Sequence, residues 1–394
     1  MPRYNGGFIG QDGPDAPDPP TNVTPTAGNE QLSVAFTSPT DQGTSDVTGF
    51  VVQVSENGTA YSAGSNTGTS SPIVVSSLTN GTSYTAKVWA INAYGTSAPS
   101  DASTSATPEQ PSLGISFGGD PDNNGAKTNR IEFFDIGTTG NASDFGDLTQ
   151  SVNDVSGASS STRGLRFGGD SGGQTNVIDF ITMRSAGNAT DYGDLTTTRF
   201  ETGSCSNNTR YLCSGSNNTG IDFGTIATTG NSSDFGDRSS ANQKLAACAS
   251  TTRGVFGGGS GPSNVMEFVT INSTGNTTDF GDLSSARQNL AACSSNTRGF
   301  FLSGEGTAQI DQITFTSTGN AANWGSVGGG AARHSGAATS SATRGVLMGG
   351  DSSGVKNEIL FFDLTSASST SDFGDLAAIV RKNGACGTNH GGIS

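Results

Sequence analysis

Apolar positions in the first third of the chain gather into short runs, at 32–36, 50–54, 73–75 and 84–91, between Pro19 and Pro108. Turn-rich segments such as Glu56-Asn57-Gly58 and Thr79-Asn80-Gly81 lie between them. Runs of this length bounded by Gly and Asn predict strands. In the last run Tyr84, Ala86, Val88 and Ala90 alternate with Thr85, Lys87, Trp89 and Ile91, the period of a strand with two different faces. An all-β sandwich is expected here.

From Leu113 onward the pattern repeats. Asp-Phe-Gly-Asp opens at Asp144, Asp234, Asp279 and Asp372, with the variants DYGD at Asp191 and NWGS at Asn323, so successive markers lie 47, 43, 45, 44 and 49 residues apart. That is the span of a four-stranded propeller blade, and six markers predict six blades. Within one period Arg287 leads into the small run Leu290-Ala291-Ala292-Cys293, a turn at Asn296-Thr297-Arg298-Gly299, the apolar Phe300-Phe301-Leu302, and a third run at 310–315. Elsewhere the second run ends in paired glycines, Gly118-Gly119, Gly168-Gly169, Gly257-Gly258 or Gly349-Gly350, which permit backbone conformations that other residues resist. The first repeat begins at its second strand, Gly114 to Gly119. The tail at 382–390 resembles the missing inner strand, so the ends of the domain are expected to pair.

Two family resemblances follow. The run Leu78-Thr79-Asn80-Gly81-Thr82-Ser83-Tyr84, continuing through Val88, Ala90 and Asn92, resembles the fibronectin type III signature. The resemblance makes Tyr84 the tyrosine corner, its hydroxyl bonded to upstream backbone, with Phe36 standing in for the usual early Trp. The repeat order of arginine, small inner strand, apolar strand with Gly-Gly, third strand and aromatic resembles the kelch repeat. Only Trp324 keeps the kelch fourth-strand Trp. The organisation expected is a leader at 1–18, a fibronectin type III-like sandwich at 19–108 and a six-bladed kelch-like β-propeller at 112–394, closed by the C-terminal strand.

Composition narrows the function. The 19 Lys and Arg against 34 Asp and Glu give a net charge of −15, which argues against nucleic-acid binding through phosphate contacts. No stretch reaches the roughly 20 apolar residues of a membrane span, and the first 20 residues lack a basic then apolar export signal. Membrane insertion and Sec export are therefore not expected. Cys205, Cys248 and Cys293 each stand five residues before an Arg, Cys386 lies near the corresponding place, and Ser159 and Thr339 fill that slot in other repeats. A position taking Cys, Ser or Thr reads as a small buried packing site rather than a metal or disulfide framework.

Catalytic machinery is not evident. The repeated Asp-Phe-Gly lacks the companion motifs of a kinase and reads as a turn after a strand. Asp144, Asp147 and their counterparts could bind calcium, although Asp and Gly are also ordinary turn residues; no other cofactor is expected. His334 and His390 are the only histidines, too few for copper or zinc catalysis of the galactose-oxidase type. The Asn-x-Ser/Thr triplets, such as Asn141-Ala142-Ser143, read as turns.

Two sets of residues are singled out. Acids recur in the third strand at Glu132, Asp179, Asp222, Glu267 and Asp311, with Leu360 in the sixth repeat; arginines recur in the inner turn at Arg163, Arg210, Arg253, Arg298 and Arg344, with His390 at that slot in the first. Both departures fall at one junction if each acid pairs with the next repeat's arginine, so inter-blade ion pairs are expected. In the leader, Tyr4, Phe8 and Ile9 form a compact apolar grip suited to docking in a partner's groove. The phrase YNGGFIG resembles the N-terminal tags of structural proteins in marine, cyanophage-like tailed bacteriophages. The resemblance implies a non-enzymatic virion protein, a tail fibre, appendage or capsid-decoration component, made in the host cytoplasm. Its partners would be other virion proteins through the leader and host-surface glycans through polar propeller loops. The alternative is a bacterial surface or secreted adhesive, carbohydrate-binding propeller protein.

Overall fold

The structure is a computed structural model describing residues 15–61, 63–330 and 332–393. The chain divides into two compact units between Pro111 and Ser112. The chain is all-β apart from one 3-10 turn at Gly328–Gly330 among the described residues.

The first unit is a sandwich. One sheet holds Thr21–Gly28, Gln31–Thr37 and Ile73–Ser76; the other holds Ala63–Gly68, Gly49–Ser55, Thr85–Asn92 and Gly95–Thr96. In the strands Gln31–Thr37, Gly49–Ser55, Ile73–Ser76 and Thr85–Asn92 alternate residues face inward. Leu32, Val34, Val52, Val54, Val75, Ala86, Val88 and Ala90 are fully buried, while Lys87 and Trp89 lie on the other face of their strand. Tyr84 Oη accepts the Thr79 N–H at 3.1 Å, and Phe36 packs on Phe50 with ring centroids 4.7 Å apart. The Asn92 side chain donates to Asp15 O at 2.9 Å, and Asp18 N–H donates to Asp41 O at 3.0 Å. Residues 15–18 are therefore tied to the sandwich. The leader side chains Tyr4, Phe8 and Ile9 lie outside the described residues.

The second unit contains six four-stranded antiparallel sheets among the described residues. Sheet two shows the plan: Ser156–Ser159, Arg163–Phe167, Thr175–Thr182 and Thr190–Arg199, each paired with the next. Sheets three to six begin at Thr202–Ser206, Ala246–Ala249, Ala291–Ser294 and Ala337–Ser340. Sheet one is assembled from both ends of the unit. Its last three strands are Leu113–Phe117, Thr128–Asp135 and Ser143–Val152, and its first is Gly384–Gly387, which pairs antiparallel with Leu113–Phe117 so that Ala385 faces Ser116. First strands are built from Gly, Ala, Ser, Thr and Cys, and residues of all six line the same two cavities.

The Asp-Phe-Gly-Asp segment is not the turn its composition suggested. It lies inside the fourth strand and fastens each sheet to the next. At the first junction Gly187 N–H donates to Phe145 O and Ala189 N–H to Asp147 O, both at 2.7 Å, while Asn188 Oδ1 accepts Asp147 N–H at 3.0 Å. The same clasp joins Gly230 to Tyr192, Gly275 to Phe235, Gly319 to Phe280, and Gly140 of sheet one to Phe373 of sheet six. Between sheets five and six Ser369 takes the Asn role, accepting Ser326 N–H at 3.2 Å. Glycine is required inside the motif: Gly146 has φ +145°, and a Cβ there would fall on the Gly187 carbonyl oxygen.

Candidate functional site

A second circuit of hydrogen bonds runs where each fourth strand hands over to the next sheet's first strand. Asp154 N–H donates to Lys382 O (2.9 Å), Glu201 to Asp154 (3.0 Å), Lys244 to Glu201 (2.9 Å), Asn289 to Lys244 (2.9 Å), Ser335 to Asn289 (2.8 Å) and Lys382 to Ser335 (2.6 Å). The circuit returns to its start. All six residues are left-handed, with φ between 51° and 60°. Asn and Asp tolerate that region, whereas Glu and Lys adopt it only when their surroundings enforce it.

Their side chains line a cavity of about 80 Å³. Lys382 Nζ lies 2.9 Å from Asp154 Oδ2 and Lys244 Nζ 3.9 Å from Glu201 Oε1. Burial raises the Asp154 carboxyl above its ordinary value despite the nearby Lys382 charge. Burial also raises Glu201, and the Asp154 charge adds to the effect. The Glu201 side chain is only 10 % exposed, and its Oε2 has no hydrogen-bond partner; nor does Asn383 Oδ1, which lines the same cavity. Two acceptors on residues lining this cavity are therefore buried without a partner.

Beyond this collar lie a second cavity of about 80 Å³, lined largely by Gly, Ala, Ser and Thr, and a third of about 50 Å³ reached by Cys205, Cys248, Cys293, Cys386 and His390. All five cysteines are free and buried, and burial drives the Cys205 and Cys213 thiols up to about 12. Thiols so held are protonated and unreactive at neutral pH. The strand register puts Ala158, not Ser159, opposite Leu165 as Cys205 stands opposite Leu212; the slot holds small residues throughout. His390 is half-buried near Ser159 O (3.3 Å) and Ser206 Oγ (3.4 Å), and desolvation lowers its pKa to about 4. Its neighbour Gly391 N–H donates to Ser294 O at 2.9 Å, so the tail spans between first strands.

The expected acid–arginine pairs are not what the structure contains. Asp179 pairs with Arg166, Asp222 with Arg199 at 3.2 Å, Asp311 with Arg287 at 2.6 Å and Glu132 with Arg130 at 3.1 Å. Glu267 accepts the Ser239 N–H at 3.0 Å. The acids do reach across sheets, but backward: Thr149 Oγ1 donates to Asp179 and Thr196 Oγ1 to Asp222, each at 2.6 Å, Ser284 Oγ to Asp311 at 2.7 Å, and Ala377 N–H to Glu132 at 2.7 Å. Leu360, in the acid's place, packs in one apolar cluster with Val327 of the preceding sheet.

The inner-turn arginines reach forward to carbonyls instead. Arg163 stacks over Phe180 at 4.4 Å and donates to Ile226 O at 2.9 Å. Arg210 uses Phe223 and Ile271 O, Arg253 uses Phe268 and Phe315 O, Arg298 uses Trp324 and Leu364 O, and Arg344 uses Phe361 and Ile136 O of sheet one. The inner-turn arginine and the acid stand at different levels of each repeat: Arg163 and Arg210 lie three residues along from the levels of Asp179 and Asp222 in successive sheets, roughly 10 Å at the rise of a strand, so Asp179 is out of level with the next sheet's Arg210 as well as with Arg163. In sheet one the arginine's register position belongs to Leu113, which pairs with Asp135 as Arg163 pairs with Thr182; His390 is thereby freed to turn inward.

Among the described residues no group of three or more His, Cys, Asp or Glu side chains is placed to hold a metal ion. No helix is long and apolar enough to cross a membrane among those residues. The collar was not legible in the sequence because its six residues are of five different types. The available signal was positional: each stands just before a small first strand, with both charge signs at one repeat position.

Comparison with known proteins bears on the first unit. Residues 18–106 match the fibronectin type III domain. The tyrosine corner and the two-sheet sandwich agree with that match, so the N-terminal unit is a fibronectin type III domain. A solved structure of titin domains A168–A170 is similar over 24 % of this chain and 33 % of that one, at 26 % identity and a TM-score of 0.23. The likeness spans about a third of the titin chain. No curated protein sequence matches.

Proposed function

We propose that residues 112–394 form a six-bladed, kelch-like β-propeller, and that the protein is a non-enzymatic structural component of a tailed-phage virion, part of a tail fibre, appendage or capsid decoration. The observation that carries the first half is the collar circuit, which passes through all six sheets and returns to Lys382. The belt of clasps at the fourth strands supports it independently, because its last link joins sheet six to sheet one. Together they make a rigid repeat platform without disulfide cross-links.

The virion assignment draws on the leader phrase YNGGFIG and on the acidic, Gly-, Ser-, Thr- and Asn-rich composition. It is also supported by the placement of reactive side chains: thiols are buried, the lowered pKa of half-buried His390 keeps it neutral, and the acids and arginines brace neighbouring sheets. In this reading Tyr4, Phe8 and Ile9 anchor the protein to another virion protein, the fibronectin type III domain is a spacer, and the propeller meets host-surface glycans. Mass spectrometry of purified particles is the test. Peptides from both units should be present in stoichiometric amount; their absence from particles, with recovery from a bacterial surface fraction instead, would replace this reading with the adhesive one.

A further inference from the structure

The inner turns and the connections from third to fourth strand emerge at one end of each sheet, and the inner-turn arginines of sheets two to five tie that end to the next sheet through the carbonyls of Ile226, Ile271, Phe315 and Leu364. Charge there is one-sided. The connections 136–142, 183–189, 226–232, 271–277, 315–321 and 364–370, with the turns 160–163, 207–210, 250–253, 295–298 and 341–344, contain six arginines and no Asp, Glu or Lys, in a chain of net charge −15. In sheets two to five the turn arginine stands opposite a threonine, Thr182, Thr225, Thr270 or Thr314. In sheets one and six that register position is Asp135 or Asp363. The cationic surface is therefore an arc over four sheets, carried by Arg163, Arg210, Arg253 and Arg298.

These guanidiniums are fixed but keep a free donor. Stacking on Phe180, Phe223, Phe268 or Trp324 holds each plane, and Nη1 carries the carbonyl bond. Nη2 has no partner among the described residues and, unlike Nε of Arg166 and Arg287, is not shut away from water. Between the arginines lie exposed hydroxyls and amides, Thr162, Asn208, Thr209, Thr252, Asn296 and Thr297. The exposed large apolar side chains among the described residues, Val74, Tyr94, Val265 and Ile379, all lie outside these segments, so the apolar core of a protein interface is missing. Neighbouring guanidiniums sit on successive packed sheets, about 10 Å or more apart, whereas nucleic-acid phosphates recur every ~3.4 Å along a strand. Isolated cations separated by hydrogen-bonding groups fit a sugar chain with widely spaced anions. We propose that the arginine arc binds an acidic polysaccharide with one carboxylate on every second sugar, each carboxylate accepting from an Nη2 while sugar hydroxyls bond the intervening Thr and Asn side chains. This deepens the glycan-contact reading by naming the charge class and the end of the sheets that meets it, and it rests on that reading for the choice of a polysaccharide.

The test is fluorescence anisotropy of the full chain with labelled hyaluronan decasaccharide, which carries a carboxylate on alternate sugars, against labelled dextran, poly-L-glutamate and oligo-dT, at about 50 mM salt so that charge screening stays modest. Hyaluronan should bind, and dextran should not. Arg210→Gln with Arg253→Gln should weaken that binding at least about tenfold, the effect of losing hydrogen bonds to a charged group. Thr225→Asp with Thr270→Asp, at exposed positions and with every arginine kept, is the second variant if the first fails to fold, and should weaken binding as much. Arg344→Gln, opposite Asp363 and outside the arc, should leave it unchanged. Four results would overturn the proposal: no hyaluronan binding, no loss in a folded arc variant, an equal loss in Arg344→Gln, or tighter binding of poly-L-glutamate or oligo-dT, which would make the partner an acidic protein or a nucleic acid. Dextran binding without hyaluronan binding would keep the glycan contact and remove its anionic class. Particle mass spectrometry is unaffected by any of these, so failure here is distinguishable from failure of the virion assignment.

Discussion

His390 makes stability pH-dependent in the neutral-to-acid range. Its folded pKa of about 4 lies below the ordinary 6.5, so the unfolded chain binds the proton first. The contribution is fully present above about pH 6.5, is lost as pH falls toward 4, and is constant below; it amounts to about 3 kcal/mol. Asp154 and Glu201 act in the opposite sense, because their folded values are raised: their contribution is present at low pH and lost as pH rises through those values. Urea denaturation of wild type and His390→Gln at pH 7 and pH 4 separates the two, the variant losing less stability on acidification. Equal losses would mean that His390 takes up its proton in the folded state as easily as in the unfolded one. The buried pairs give a second residue-scale prediction. Asp222→Ala leaves the Arg199 guanidinium buried without its carboxylate and should cost about 3–5 kcal/mol, whereas Arg163→Leu, which loses a stack and one carbonyl bond, should cost about 1–2 kcal/mol.

Strand-level consequences follow from the clasp. Gly146→Ala meets both an unfavourable φ and the Gly187 carbonyl, while Gly125→Ala (φ +81°) meets open space. The first should cost about 2–4 kcal/mol and the second about 1 kcal/mol; similar costs would show that the close approach between sheets is not what demands glycine. Removing residues 384–393 uncovers Leu113–Phe117, and the remaining second unit should lose cooperative melting or aggregate. What was legible in the sequence at this scale was periodic. The sandwich core showed in the alternation at Tyr84 to Ile91, and the tail strand in the missing start of the first repeat. The strands Thr21–Gly28 and Ala63–Gly68 did not show, since their residues are largely polar and lack apolar alternation. The clasp was hidden because Asp, Gly and Asn signal turns locally, and only contact with the neighbouring sheet makes them strand residues. The partner choice of the acids was equally illegible: recurrence located Asp179 and Arg163 within each repeat but not the three-residue offset that hands Asp179 to Arg166.

For the whole molecule, the proposed function places a docking segment before the fibronectin type III domain and a proposed propeller. Residues 15–18 are bonded to the sandwich, so a deletion that spares those bonds is confined to residues 1–14, which contain Tyr4, Phe8 and Ile9. If the proposed virion role holds, the most direct measurement is to delete residues 1–14 in the phage it implies and quantify the protein on purified particles by mass spectrometry, with the melting curve of the isolated variant as control for folding. The account predicts a variant that melts like the full chain and is depleted from particles by at least about tenfold. A folded variant incorporated at the wild-type level would contradict it, placing the anchor in the sandwich or the six-sheet unit instead.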